Sequence, residues 1–279
     1  FMSKEKLKMI VHNNKALYKI LLLIRYVQYK MIWFAKEISS YIRVIGIGNK
    51  RYKNIRKFKN IHAGERCFIV ATGPSLTYED LDKIKNEITF GVNSICLSYD
   101  KTDFRPTYFG VVDYDVYQKL KDSTDLIRNN NVFVSKKIDK SENRKKDWNV
   151  LPIDKYYHWY ETLYKNIYTA RFSNNASRLL YDSNTVTYIM IQLAAYMGFN
   201  EIYLLGVDCN YKQERKRFID HGHFVEVPGE LEMRMTAGFK AAKQYIDKHN
   251  GLKIYNCTRG GMLEVFKRKN LEDVLKEKR

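Results

Sequence analysis

From about residue 60 onward, short apolar runs alternate with amphipathic stretches, and this alternation constrains the fold more than any other feature of the chain. Cys67–Ala71, Ile88–Val92, Tyr108–Val112, Val132–Val134, Ile202–Leu205 and Lys253–Cys257 read as strands. Most of them lack strict period-two alternation, as strands do when both sheet faces are covered. Between and after them lie helical candidates at Tyr78–Lys85, Val116–Arg128, Thr185–Met197, Glu230–His249 and Leu271–Lys276, with Lys136–Asn149 left as a polar loop. The pattern predicts an α/β domain with a doubly wound, mostly parallel sheet, whose ligands bind beyond the carboxyl ends of the strands.

At 279 residues, 45% hydrophobic and 29% charged, the chain can bury one large core and does not have the composition of a disordered protein. No run of about 18 uncharged apolar residues occurs and no secretory pattern is visible, which predicts a chain retained in the cytoplasm. Cys67, Cys96, Cys209 and Cys257 are widely spaced, which disfavours a zinc ribbon or a disulfide scaffold.

The formal net charge of +18 is concentrated at one end: residues 1–60 hold fifteen Lys and Arg against Glu5 and Glu37. They form a basic helical segment ahead of the domain spanning residues 61–279. On a helical wheel Lys15, Lys19, Arg25, Lys30, Lys36, Glu37 and Arg43 fall in an arc of about 140°. Leu17, Ile20, Ile24, Val27, Met31, Phe34, Ile38 and Ile42 take the opposite side. With the basic tract Lys50–Lys59, residues 15–59 suit a helix lying peripherally on an anionic inner membrane face. The same stripe suits packing on the domain or on a second copy of the chain. No RNP signature, zinc finger or helix-turn-helix supports nucleic acid as a partner.

The strand ends carry the chemistry. The first runs into Thr72-Gly73-Pro74-Ser75, with Thr77 and Asp80 spaced as a capping box. This small-residue loop before a helix favours a phosphate or a ribose oxygen, although it is neither a P-loop nor a G-x-G-x-x-G fingerprint. The second strand ends at Asn93 and the third at Asp113. A later strand continues as Gly206-Val207-Asp208-Cys209-Asn210-Tyr211, and Thr185 opens the central helix. Together these residues would line a nucleotide pocket. Asp113 and Asp115 could hold Mg²⁺ or Mn²⁺, but a sugar- or base-contacting Asp113 is the preferred reading. His221 and His223 follow the cations Lys212, Arg215, Lys216 and Arg217, an arrangement suited to a general base beside a departing phosphate.

The ordered set FIVATGPSL, ITFGVNSI, RPTYFGVVD, NTVTYIMIQLAAYMGFNEIYLLGVDCNY and KIYNCTRGGMLEVFKR resembles the DUF115, or MAF-flag10-like, bacterial family, related to the family 42 sialyltransferases. The resemblance implies a Rossmann-like glycosyltransferase domain of the variant GT-A type. Its donor would be a CMP-activated nonulosonic acid, its acceptor a glycan or lipid-linked glycan, and no metal or other cofactor would be required. It places Thr72, Gly73, Asn93, Asp113, Gly206, Asp208 and Cys209 around the nucleotide, and the positions of Ser75, Thr185 and Asn210 at the same strand and helix ends add them to the expected nucleotide site. It makes Tyr211 the stabiliser of the leaving phosphate, with Lys212 and Arg215 beside it in the lid, and His223 the base. Thr72 and Asp113 stand where the sialyltransferases carry Asn, and Ser183 or Asn184 where they carry Arg, departures that weigh against sialic acid itself more than against glycosyl transfer. Some relatives transfer diphosphate to a hydroxymethylpterin, and that activity is the alternative, along with a non-catalytic nucleotide-binding module.

Overall fold

The apolar runs pair in a single, wholly parallel sheet. The computed structural model describes residues 14–47, 50–124, 131–142, 147–158, 161–162, 167–210, 218 and 228–277. Helix α1 (Lys15–Val44) and a 3-10 helix (Lys50–Phe58) precede β1 (Arg66–Val70), α2 (Tyr78–Lys83) and β2 (Thr89–Val92). A 3-10 turn (Asn93–Ser98), β3 (Tyr108–Val111), α3 (Tyr114–Thr124), β4 (Val132–Ser135), α4 (Lys136–Ser141) and β5 (Asn149–Leu151) follow. Beyond these come β6 (Ile153–Asp154), β7 (Leu180–Tyr181), α5 (Val186–Met197), β8 (Glu201–Leu205), α6 (Pro228–Lys248), β9 (Lys253–Asn256), β10 (Lys267–Arg268) and α7 (Leu271–Lys276).

The strand order is β10-β9-β8-β1-β2-β3-β4-β5, with β6 and β7 forming a separate two-stranded parallel pair. The chain therefore winds outward from β1 to β5 in one direction and from β8 to β10 in the other. The reversal between β1 and β8 is where a doubly wound sheet opens a crevice for ligand. Register brings the exits level, with Val70 beside Leu205 and Gly91, and Val92 beside Gly110.

Alternate residues of each strand enter different cores. Ile69, Phe90 and Leu204 pack with α5 and α6, whereas Phe68, Val70, Val111 and Leu205 pack with α2, α3, α4 and α7. Helix α5 is buried on nearly every side, which explains its all-round apolar sequence. Within it the Gln192 amide is fully used: Oε1 accepts from the backbone N–H groups of Ser173 and Tyr181, and Nε2 donates to the carbonyls of Tyr181 and Tyr188. The four cysteines are buried free thiols.

Several sequence expectations change. The stretch from Lys136, expected to be a loop, contains α4 and leads into β5, because Ile138 gives one short turn an apolar anchor in the core. Strands β5, β6, β7 and β10 add to those expected. The helix expected over 116–128 begins at Tyr114, and its last residues lie outside the described ones.

Helix α1 meets the domain through the C-terminal part of its polar side, from Trp33 to Arg43, whereas Lys15, Lys19, Arg25 and Lys30 on the same side are exposed. Glu37 receives Arg178 Nη1 at 2.6 Å and the Tyr181 hydroxyl at 3.0 Å. Lys36 lies 3.4 Å from Asp154, and Arg43 donates to the Arg178 carbonyl. Trp33 stacks under the Arg171 guanidinium at 4.6 Å. The apolar stripe faces away, leaving Met31 68% and Phe34 60% exposed. The 3-10 helix behind it packs on the main core through Ile55 and Phe58, and Arg51 pairs with Asp139 at 3.2 Å. Among the described residues no helix is long and apolar enough to cross a membrane.

Candidate nucleotide site at the carboxyl edge

Four loops meet at the edge where β1, β2, β3 and β8 end. Because their strands are adjacent and in register, Thr72, Asn93, Asp113 and Asp208 emerge on one rim despite their separation in the chain. The first and last of these loops are joined directly. Gly73 N–H donates to the Gly206 carbonyl at 2.8 Å, and Ser75 donates to Asp208 Oδ2 from its hydroxyl at 2.8 Å and from its amide at 3.4 Å. A Cβ on Gly73 would overlap Asp208 Oδ2 and come within 2.5 Å of the Gly206 carbonyl oxygen, so only glycine fits there. Burial raises the Asp208 carboxyl above its ordinary pKa, while the Ser75 hydrogen bonds and the Arg268 charge pull the other way. A carboxylate in this position makes the loop better suited to hydroxyl donors, such as ribose, than to a bare phosphate.

Helix α2 begins with the expected capping box, Thr77 and Asp80 each accepting from the other's backbone N–H. Arg259, from beyond β9, then binds Asp80 Oδ1 at 2.7 Å and the Ser75 carbonyl at 3.0 Å. Burial alone would raise the Asp80 pKa, but the hydrogen bonds from Arg259 and Thr77 outweigh it and hold the carboxyl below its ordinary 3.8. A group with a depressed folded pKa stabilises the fold above its unfolded pKa, and that contribution is lost as pH falls through the folded value. In urea unfolding, wild type should therefore exceed Arg259→Ala in stability at neutral pH, and the gap should narrow as pH drops below 3.8, since only the bond to the Ser75 carbonyl survives protonation of Asp80. A gap of equal size in acid would contradict this role for the pair.

Asn93 has a left-handed backbone, φ 48°, and its Oδ1 is buried without a hydrogen-bond partner. A non-glycine residue held in this region marks an imposed geometry. Cys209 is likewise left-handed at φ 51°, and burial pushes its thiol up to about 12, so it is a neutral thiol rather than a nucleophile at pH 7. Gly206, at φ 65°, lets the chain turn out of β8 against the Ala71 carbonyl. Asn210 is exposed at the end of this loop.

Asp113 caps α3, its Oδ1 accepting from Asp115 N–H at 2.8 Å and Val116 N–H at 3.2 Å. Asp115 is exposed. No cluster of three or more His, Cys, Asp or Glu side chains able to hold a metal occurs among the described residues. Thr185 caps α5, accepting from Thr187 N–H at 3.3 Å. The opposite end of α5 meets residues 60–64, just before β1, so Thr185 lies at the carboxyl edge.

The structure also supplies neighbours that the sequence did not single out. Asp182 is buried beside the α5 N-terminus, and burial raises its pKa, with Asp113 adding to the effect and Lys155 opposing it. His158 is buried against Tyr168, whose ring lies 4.5 Å away, and burial with the nearby Arg234 lowers its pKa to about 4. The β8 exit is braced from β9: Val207 N–H donates to Thr258 Oγ1, and Met262 N–H to the Asp208 carbonyl. The expected lid residues Tyr211, Lys212, Arg215, His221 and His223 lie outside the described residues.

A parallel doubly wound sheet with its polar rim at the winding reversal places the chain in the class of Rossmann-like α/β proteins. The family model for 6-hydroxymethylpterin diphosphokinase MptE-like proteins matches residues 47–214, and the chain belongs to that MptE-like, DUF115-type family. Among solved structures it is similar to the MAf glycosyltransferase from Magnetospirillum magneticum AMB-1, at 18% identity and TM-score 0.44. That alignment covers 82% of this chain and 40% of the other, so the match spans less than half the length of that protein. It is also similar to the sialyltransferase CstII from Campylobacter jejuni in complex with cytidine-5′-monophosphate, at 16% identity and TM-score 0.43, covering 74% and 85% of the two chains. No curated protein sequence matches it.

Proposed function

We propose that the chain is a glycosyltransferase using a CMP-activated, sialic acid-like donor. The observation that carries this reading is the buried, unpartnered Asn93 Oδ1 at the carboxyl end of β2, in the rim shared with Asp208 and Asp113. An orphaned acceptor costs about 1–3 kcal/mol, which a donor group such as a base's exocyclic amine or a ribose hydroxyl would recover. Thr72, Gly73, Ser75, Gly206, Asp208, Cys209 and Asn210 flank the nucleotide in this reading, Thr185 adjoins it, and Asp113 faces the sugar or base.

The reaction is a direct displacement. An acceptor hydroxyl gives its proton to His223 as its oxygen bonds to the anomeric carbon. The bond from that carbon to the phosphate oxygen breaks, and CMP departs toward Tyr211, Lys212 and Arg215. No metal takes part. The acceptor is a glycan or lipid-linked glycan of a bacterial surface polysaccharide or glycoprotein, and the enzyme works peripherally at the inner face of the cell membrane.

The test is turnover with a panel of nucleotide sugars by the full chain. Transfer or hydrolysis of a CMP-sugar is expected, and His223→Ala with unchanged circular dichroism should lower it by about a hundredfold or more. Damage confined to His221→Ala would move the base to the other imidazole. The match of residues 47–214 to the pterin diphosphokinase family favours a second reading, diphosphate transfer from ATP to a hydroxymethylpterin. Cleavage of ATP in the presence of a pterin, without sugar-nucleotide turnover, would select it.

A further inference from the structure

We propose that the outward stripe of α1 inserts into an anionic lipid surface while the polar side of the same helix, from Trp33 to Arg43, stays clamped to the domain. A helix of 30 residues is about 45 Å long. Over that length Ile20, Ile24, Val27, Met31, Phe34 and Ile38 are all exposed, and Ile45 and Ile47 extend the patch past the helix end. An amphipathic helix normally turns its apolar side toward the core. Here the core side is held by ion pairs and a guanidinium stack involving Trp33, Lys36, Glu37 and Arg43. Continuous exposed apolar surface of this extent marks a contact with something outside the chain.

Charge identifies the occupant. Residues 15–59 contain twelve Lys and Arg and one acid, Glu37; Glu37 is paired with Arg178, Lys36 with Asp154 and Arg51 with Asp139, which leaves ten further cations in the segment. Lys53, Arg56, Lys57 and Lys59 are exposed, and Arg56 binds the Arg43 and Val44 carbonyls, so the basic turn stays at the end of the stripe. Two copies joined stripe to stripe would bring two such cationic sets together. A surface of anionic headgroups over acyl chains complements both the charge and the apolar side chains. This inference deepens the peripheral membrane placement of the proposed function but does not rest on the catalytic reading, because it concerns a face clamped to residues 154–181 and is read out without substrate.

The experiment is flotation of the full chain with phosphatidylcholine vesicles and with vesicles that also contain phosphatidylglycerol. Binding should require the anionic lipid and should weaken as salt rises. The exposed-site double variant Met31→Glu/Phe34→Glu should lose about tenfold or more of that binding without a change in unfolding temperature. Lys53→Glu/Lys57→Glu should lose about tenfold or more as well. Equal binding to both vesicles, no binding, or unchanged binding by the Met31→Glu/Phe34→Glu variant would overturn the proposal. So would a dimer seen by light scattering that this variant dissolves.

Discussion

Replacing Gly73 with alanine is expected to abolish nucleotide binding and to destabilise the domain by about 1–3 kcal/mol, the usual range for overpacking a closed site. The added methyl would meet the Asp208 carboxylate on one side and the Gly206 carbonyl oxygen on the other. The side chain can swing away, but the carbonyl is fixed by its place at the exit of β8. Relief through Asp208 would break its hydrogen bonds with Ser75 and pull apart the two loops that meet at the winding reversal. Asp208→Ala in the Gly73→Ala background should therefore recover only part of the lost stability, a non-additive result expected for groups in contact. Urea unfolding and nucleotide titration of the two single variants and the double variant measure this. Wild-type stability and binding in Gly73→Ala would mean that the loops are not locked together as described.

The second large effect concerns Gln192→Leu. Leucine resembles glutamine in size, so cavity formation is not the issue. The substitution strands the N–H groups of Ser173 and Tyr181 and the Tyr181 carbonyl inside the core, beside a helix that has no access to solvent there. Each of these three orphaned buried groups costs about 1–3 kcal/mol, so a loss of roughly 3–9 kcal/mol follows, enough to unfold a domain of ordinary stability. Gln192→Glu retains the acceptor but loses the donors and should also be harmful. A fall of less than about 1 kcal/mol in Gln192→Leu would show that water or backbone movement satisfies these groups.

Much of this architecture is legible in the residues themselves. The strands that carry the rim, β1, β2, β3 and β8, are apolar enough to stand out. The winding order follows from their alternation with helices, and the Thr77 and Asp80 spacing identifies the α2 cap. Strands β6, β7 and β10 have two residues each and leave no periodic trace. A helical wheel separates the two sides of α1 but contains no term for Arg178 or Asp154, which decide which side faces the domain. Arg259 joins Asp80 across 179 positions, and Asp182 approaches Asp113 only through the packing of α5, so no local pattern could reveal either. The Asn93 position is legible because a polar residue ends an apolar run, whereas its left-handed backbone and orphaned oxygen arise only from the folded packing around it.

Calorimetric titration of the full chain with cytidine-5′-monophosphate tests the shared rim most directly. Saturable binding is expected in wild type, with a loss of about tenfold or more in Asn93→Leu, which removes the buried acceptor. A wild-type chain that binds no cytidine nucleotide, or an Asn93→Leu variant that binds it as well as wild type, would contradict the account.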